Sequence, residues 1–134
     1  MSSIAARAAD EFSGTWVIDL RSVAERRNKV ECGNASFKLT QTGERVIGDH
    51  TFFTPGCGRL NEGGENTVKG IVVGHTAILA VTSGRNGAVV LGKATVKNET
   101  LHWATLDEIK AGEPATDSAL ILGSGVLKRE AQKR

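Results

Sequence analysis

The sequence predicts an all-β protein, an eight-stranded antiparallel up-and-down barrel. Three observations carry this expectation. The chain divides into runs of five to ten strand-forming residues separated by turn signals. Most connections are short, which makes consecutive strands antiparallel neighbours. Apart from residues 22–29, a basic stretch that reads as a short helix or a loop, no amphipathic helix is present, and none exceeds two turns. Eight strands in a meander lose their exposed edges by closing on themselves.

In chain order, residues 13–20 form the first strand, with Trp16, Ile18 and Leu20 on one face and Thr15, Val17 and Asp19 on the other. Residues 35–41 and 45–54 follow, joined by Thr42-Gly43-Glu44, with Phe37 and Leu39 opposing Ser36, Lys38 and Thr40. Residues 66–73 and 76–82 are joined by Gly74-His75. Gly84-Arg85-Asn86-Gly87 leads into 88–97, because Asn-Gly supplies positive φ at low cost. Asn98-Glu99 joins that strand to 100–106, and 118–129 is the last strand, with Gly123-Ser124-Gly125 read as a kink. Gly48, Gly70 and Gly92 recur in Val-x-Gly strand starts, where glycine marks a bend or a close backbone approach. Residues 1–12 are a lead-in, 13–129 one barrel domain, and 130–134 a solvated basic tail.

Charge and composition narrow the function classes. The 17 Lys and Arg residues nearly balance 15 Asp and Glu, for a net charge of +2, which excludes a dedicated nucleic-acid binder. The aromatics are four Phe and two Trp with no Tyr, a poor base-stacking platform. No run approaches the ~20 apolar residues of a membrane-spanning helix. Ala6-Arg7-Ala8 has the small-x-small form of a signal-peptidase site without a basic or apolar region ahead of it. It reads either as the remnant of an export signal or as an Ala-rich lead-in.

Cys32 and Cys57 have no metal-ligand spacing. In the hairpin formed by 35–41 and 45–54, cross-strand partners sum to about 86–87. The cysteines sum to 89, which places both near the open end of the hairpin, where a disulfide contributes roughly 3–4 kcal/mol by loop entropy. The alternative is two inert thiols in a cytosolic protein. With the bridge, the expected location is periplasmic or secreted.

Residues 70–73, 77–81 and 88–91 are apolar on both faces. The cover expected for such an outer face is another copy of the chain, a homo-oligomer formed through strands 66–97, unless that face stays partly solvated. His50, His75 and His102 share no ligand spacing, and His50 lies on the strand face of Val46 and Phe52. No Gly-x-Ser-x-Gly elbow ties a serine to His50, so neither a metal nor a catalytic role is expected. The Gly-rich stretch 56–66 lacks the Lys-Ser/Thr ending and following helix of a phosphate loop. It carries Arg59, Asn61 and Asn66, and it reads as a recognition loop over a barrel mouth or as a polar connection.

Ser13-Gly14-Thr15-Trp16 resembles the first strand of the calycins, the barrels that include lipocalins, fatty-acid-binding proteins and avidins. In them a basic residue of the last strand packs across the Trp, a role that Lys128 or Arg129 would fill here. Chain length, strand number, Leu101-His102-Trp103-Ala104-Thr105 and Ala119-Leu120-Ile121-Leu122-Gly123 are most similar to the avidin and streptavidin proteins. The resemblance matches Ser22 and Trp103 to biotin-site residues. It puts Ile18 where those proteins have Asn, provides no Tyr, and leaves Ser124 or Gly125 where they have an acid. A buried urea with those partners missing loses several hydrogen bonds, so the resemblance implies the barrel and not biotin.

The expected function is a non-enzymatic binding protein without a cofactor, its partner an unknown small molecule or protein. A ligand would sit in the interior, lined by Trp16, Phe37, Phe52 and Trp103, with Trp103 either stacking on it or simply filling the core. A partner would meet the mouth loops. The alternative is a secreted inhibitor of an enzyme, acting through the Cys57–Asn66 loop or the N-terminal arm. An open interior favours the ligand, and a packed one favours surface function.

Overall fold

The structure, a computed structural model, describes residues 11–131; Ala6-Arg7-Ala8 and the last three residues of the tail lie outside the described residues. Nine strands and one short helix follow in order: β1 (Gly14–Asp19), α1 (Val23–Arg27), β2 (Cys32–Thr42), β3 (Arg45–Pro55), β4 (Leu60–Asn61), β5 (Val68–Val73), β6 (Thr76–Thr82), β7 (Val89–Lys97), β8 (Thr100–Lys110) and β9 (Ser124–Arg129). β4 is a two-residue appendage on the end of β3. The other eight strands form a closed antiparallel barrel in the order β2-β1-β9-β8-β7-β6-β5-β3, with β3 returning to β2.

The hairpin register matches the sequence arithmetic: Gln41 pairs with Val46 and Cys32 with Pro55. Gly43 and Gly74, at φ 61° and 63°, turn their hairpins tightly, and Asn98 and Glu99 both take positive φ, the combination a two-residue turn requires. The recurring glycines sit where neighbouring strands crowd together. A Cβ on Gly48 would strike the Lys38 carbonyl oxygen, and one on Gly70 would strike that of Ile78.

The barrel closes where β9 meets β1, through only two residue pairs, Trp16 with Arg129 and Val17 with Lys128. The Arg129 guanidinium lies 4.1 Å from the Trp16 ring centroid, so Arg129, not Lys128, supplies the cation. This end is stoppered from inside. Phe12 is fully buried, its N–H donates to Gln41 Oε1 at 3.1 Å, and its carbonyl accepts from Trp16 Nε1 at 3.0 Å. Arg129 also donates to the Ser13 and Glu11 carbonyls. Inward side chains of every long strand form one continuous cluster that includes Trp16, Phe37, Leu79, Leu101, Trp103 and Leu127.

β2 starts three residues before the expected 35, β5 two after the expected 66, and β4 lies inside the expected 56–66 loop; two larger departures are at β8 and the last strand. β8 continues past Leu106 to Lys110 because β7 keeps pairing with it. The last strand begins at Ser124, not at 118. Residues 118–123 leave the sheet, with Leu120 at φ 52°, because distant side chains take their carbonyls. On the outside, Ile47, opposite Lys69, and the neighbouring pair Ile71 and Val73 on β5 are exposed. α1 is a single turn with no buried residue.

Candidate functional site

The end of the barrel opposite Phe12 gathers most of the residues the sequence singled out. Across β1, β2 and β3, Trp16, Phe37 and His50 are direct cross-strand neighbours on the inner face. Trp103 reaches from β8 to Phe37, with ring centroids 4.9 Å apart, and Phe37 lies 4.7 Å from the His50 ring. The indole crosses directly over Gly92 of β7, where a Cβ would collide with it. Trp103 is 2% exposed, and Phe52 packs against the same cluster from the side.

Residues 118–123 form a lid over these rings. Trp103 Nε1 donates to the Leu122 carbonyl at 2.7 Å, and the Leu122 N–H donates to His50 Nε2 at 3.4 Å. One residue of the lid, Leu122, is thus held through both of its backbone polar groups by core side chains. The lid's other clasp is Asn61, 1% exposed. Its amide donates to Leu120 O at 2.9 Å, while its Oδ1 accepts from the N–H groups of Gly63 and Gly84 at 3.0 and 3.1 Å. Ser83 Oγ donates to Ala119 O at 2.7 Å. Further out, Arg85 pairs with Asp117 at 2.7 Å, which holds the Asp117 carboxyl below its ordinary range. Asn61 therefore joins three segments, β4, the β6–β7 turn and the lid, in a fully bonded network.

His50 is the exception to that satisfaction. Burial alone pushes its imidazole down to about 4. Since Nε2 accepts from Leu122, the proton of the neutral ring is assigned to Nδ1, which is buried without a partner. Period-2 parity with Val46 placed His50 indoors; its contact with the lid had no local signal.

The remaining residues lie elsewhere. Arg59 is an exposed turn residue whose N–H donates to Thr54 Oγ1 at 2.9 Å. Ser22 is on the outside as the N-cap of α1, exchanging hydrogen bonds with Glu25 in a capping box. It does not meet Trp103. Cys32 and Cys57 form a disulfide with Cα atoms 5.3 Å apart, tying the start of β2 to the turn after β3. Asp19, gripped by Arg21 at 2.9 Å, is held down to about 2. The clefts open outward and include one of about 1260 Å³ at the Phe12 end beside Ser13, Lys38 and Arg129, one of about 700 Å³ beside β1 and α1, and one of about 300 Å³ between β8 and the lid.

The architecture is consistent with a calycin-type barrel. The disulfide is compatible with an extracellular or periplasmic protein, and no helix among the described residues is long and apolar enough to cross a membrane. No protein-family model matches the chain, and neither a curated protein nor a solved structure matches it.

Proposed function

We propose that this chain is a non-enzymatic binding protein that recognises a macromolecular partner with its outer surface, at the end of the barrel carrying the lid and the Cys57–Asn66 loop. The observation that carries this reading is the filled interior. The two indoles that would line a pocket donate instead to backbone carbonyls of the segments closing the two ends, Trp16 to Phe12 and Trp103 to Leu122. Seating a ligand against Trp103 requires breaking that bond and lifting Leu122, itself 4% exposed, out of the core. The avidin-like resemblance is kept for the barrel alone.

Export is part of the proposal, since the bridge closes a sequence separation of 25 residues and persists in oxidising compartments. A rigid, disulfide-tied barrel with polar loops at one end suits an inhibitor that covers an enzyme's site, and this is the second reading. Association of copies through strands 66–97 is proposed on the exposed Ile71 and Val73.

Native mass spectrometry of the unreduced protein from its own host tests the reading. The expected result is chains without a retained small molecule, each two hydrogens lighter than the dithiol form. A stoichiometric small molecule that survives desolvation would overturn surface recognition. The same spectrum gives the number of copies.

A further inference from the structure

β8 outruns its neighbour. Residues Thr100 to Ala104 pair with β9, and the last bond on that side is from Thr105 N–H to Gly123 O at 2.9 Å. Beyond it the chain of β9 has turned into the lid. The remaining stretch to Lys110 is paired on β7 alone, with no strand on its other side among the described residues. An open strand edge of this kind is a template for another extended chain.

The edge is also irregular. Val89 pairs with Lys110 but Val90 with Glu108, so Ile109 is an extra residue; Leu91 pairs with Asp107 but Gly92 with Thr105, so Leu106 is another. Bulges re-aim side chains, and these two residues are 55% and 54% exposed. Both bulges thus place a large apolar side chain in water beside the open edge. Between that edge and residues 118–121 and 123 of the lid runs the cleft of about 300 Å³, with Leu106, Leu120 and Ile121 in its walls.

Charge selects the occupant. Asp107 and Glu108 are exposed between the two bulges and make no ion pair among the described residues. A second copy pairing antiparallel on this edge, with Leu106 facing Ile109, would set Asp107 against Glu108 twice. Like charges directly opposite destabilise a strand pair. We propose that the open half of β8 docks an extended, basic segment of a partner protein as an added strand, with apolar side chains covering Leu106 and Ile109 and Lys or Arg meeting Asp107 and Glu108. This rests on the surface-recognition reading and names the site and partner chemistry for it.

The test is an NMR titration of the disulfide-intact full chain with two capped peptides, Thr-Val-Lys-Arg-Val-Thr and its counterpart with Glu at both basic positions. Saturable amide shifts confined to 105–110 and 118–123 are expected, with slowed amide exchange along β8. The acidic peptide is expected to bind about tenfold more weakly or worse. The double variant Asp107→Lys, Glu108→Lys changes exposed residues only and is expected to reverse that preference. No saturable shift at millimolar peptide, shifts centred on 57–66, indifference to peptide charge, or a dimer paired through β8 would each overturn the inference. A retained interior ligand in the native mass spectrum overturns the underlying reading instead, so the two failures are distinguishable.

Discussion

Acidification from neutral pH is expected to cost the fold about 3 kcal/mol through His50 alone. The residue is locked in its neutral form: its Nε2 accepts from the Leu122 N–H, and it packs against Phe37 with no carboxylate in contact. Adding a proton turns Nε2 into a donor facing a donor, in a site whose burial is the whole cause of the shift. The ordinary value is 6.5 and the folded value about 4. Between them the unfolded chain binds the proton and the native chain does not. The contribution is therefore complete above pH 6.5, shrinks as the pH falls through this window, and is gone below about 4. A difference of roughly two and a half units at 1.36 kcal/mol each gives the stated magnitude. Urea unfolding at a series of pH values from about 7 to 4.5, followed by the emission of the two tryptophans, measures it. His50→Leu serves as the control, since it has nothing to titrate and its midpoint is expected to be flat over that range. Asp19 and Asp117 act in a separate window: their carboxyls are held low, so what they contribute is lost only as the pH drops below about 4. A wild-type midpoint that does not move between pH 7 and 4.5, or a His50→Leu variant that loses as much as wild type, would refute the assignment.

Four other outcomes are expected. Cys32→Ser with Cys57→Ser removes a constraint across a separation of 25 residues; denaturant unfolding should show a loss of about 3–4 kcal/mol. Asn61→Leu strips the lid of its clasp and orphans the Gly63 and Gly84 N–H groups, costing about 2–3 kcal/mol, with amide exchange accelerated across 118–123 ahead of the β-sheet. Gly92→Ala drives a methyl into the Trp103 indole, and a loss of about 1–3 kcal/mol with a changed near-ultraviolet circular dichroism band is expected. Arg129→Met removes the cation over Trp16 and its bonds to Ser13 and Glu11. Its thermal midpoint should fall and the Trp16 emission should shift to the red.

The barrel was legible because its information is local. Alternation at Trp16, Ile18, Phe37 and Leu39 gives the inner face, and the turn dipeptides set the register that brings Cys32 beside Cys57. The glycines at 48 and 92 were readable as crowded positions, though not what crowds them. Residues 118–122 were not legible. Their apolar run reads as a strand, and nothing nearby says that Asn61, 59 positions away from Leu120, and Ser83, 36 away from Ala119, will take their carbonyls. The end of β8 failed for a related reason. Asp107 and Glu108 look like a loop until β7 is beside them, and a bulge leaves no mark on the sequence of the strand that carries it. The candidate site was half visible: Trp103 and Phe37 by type and parity, but the Leu122 backbone that joins Trp103 to His50 only once the chain is folded.

The two-pair seam between β1 and β9 has a consequence for how the molecule is made. Every other long strand adds next to one that immediately precedes or follows it in the barrel meander, but β9 must also find β1, the strand farthest from it along the chain. That closure has the largest loop entropy to overcome and the fewest ladder bonds in return. Without residues 124–129, β1 and β8 would each have an unpaired edge, and Trp16 would have no cation above it. The last strand is therefore the piece that leaves neither margin of the sheet open, and its Arg129 is the residue that covers Trp16.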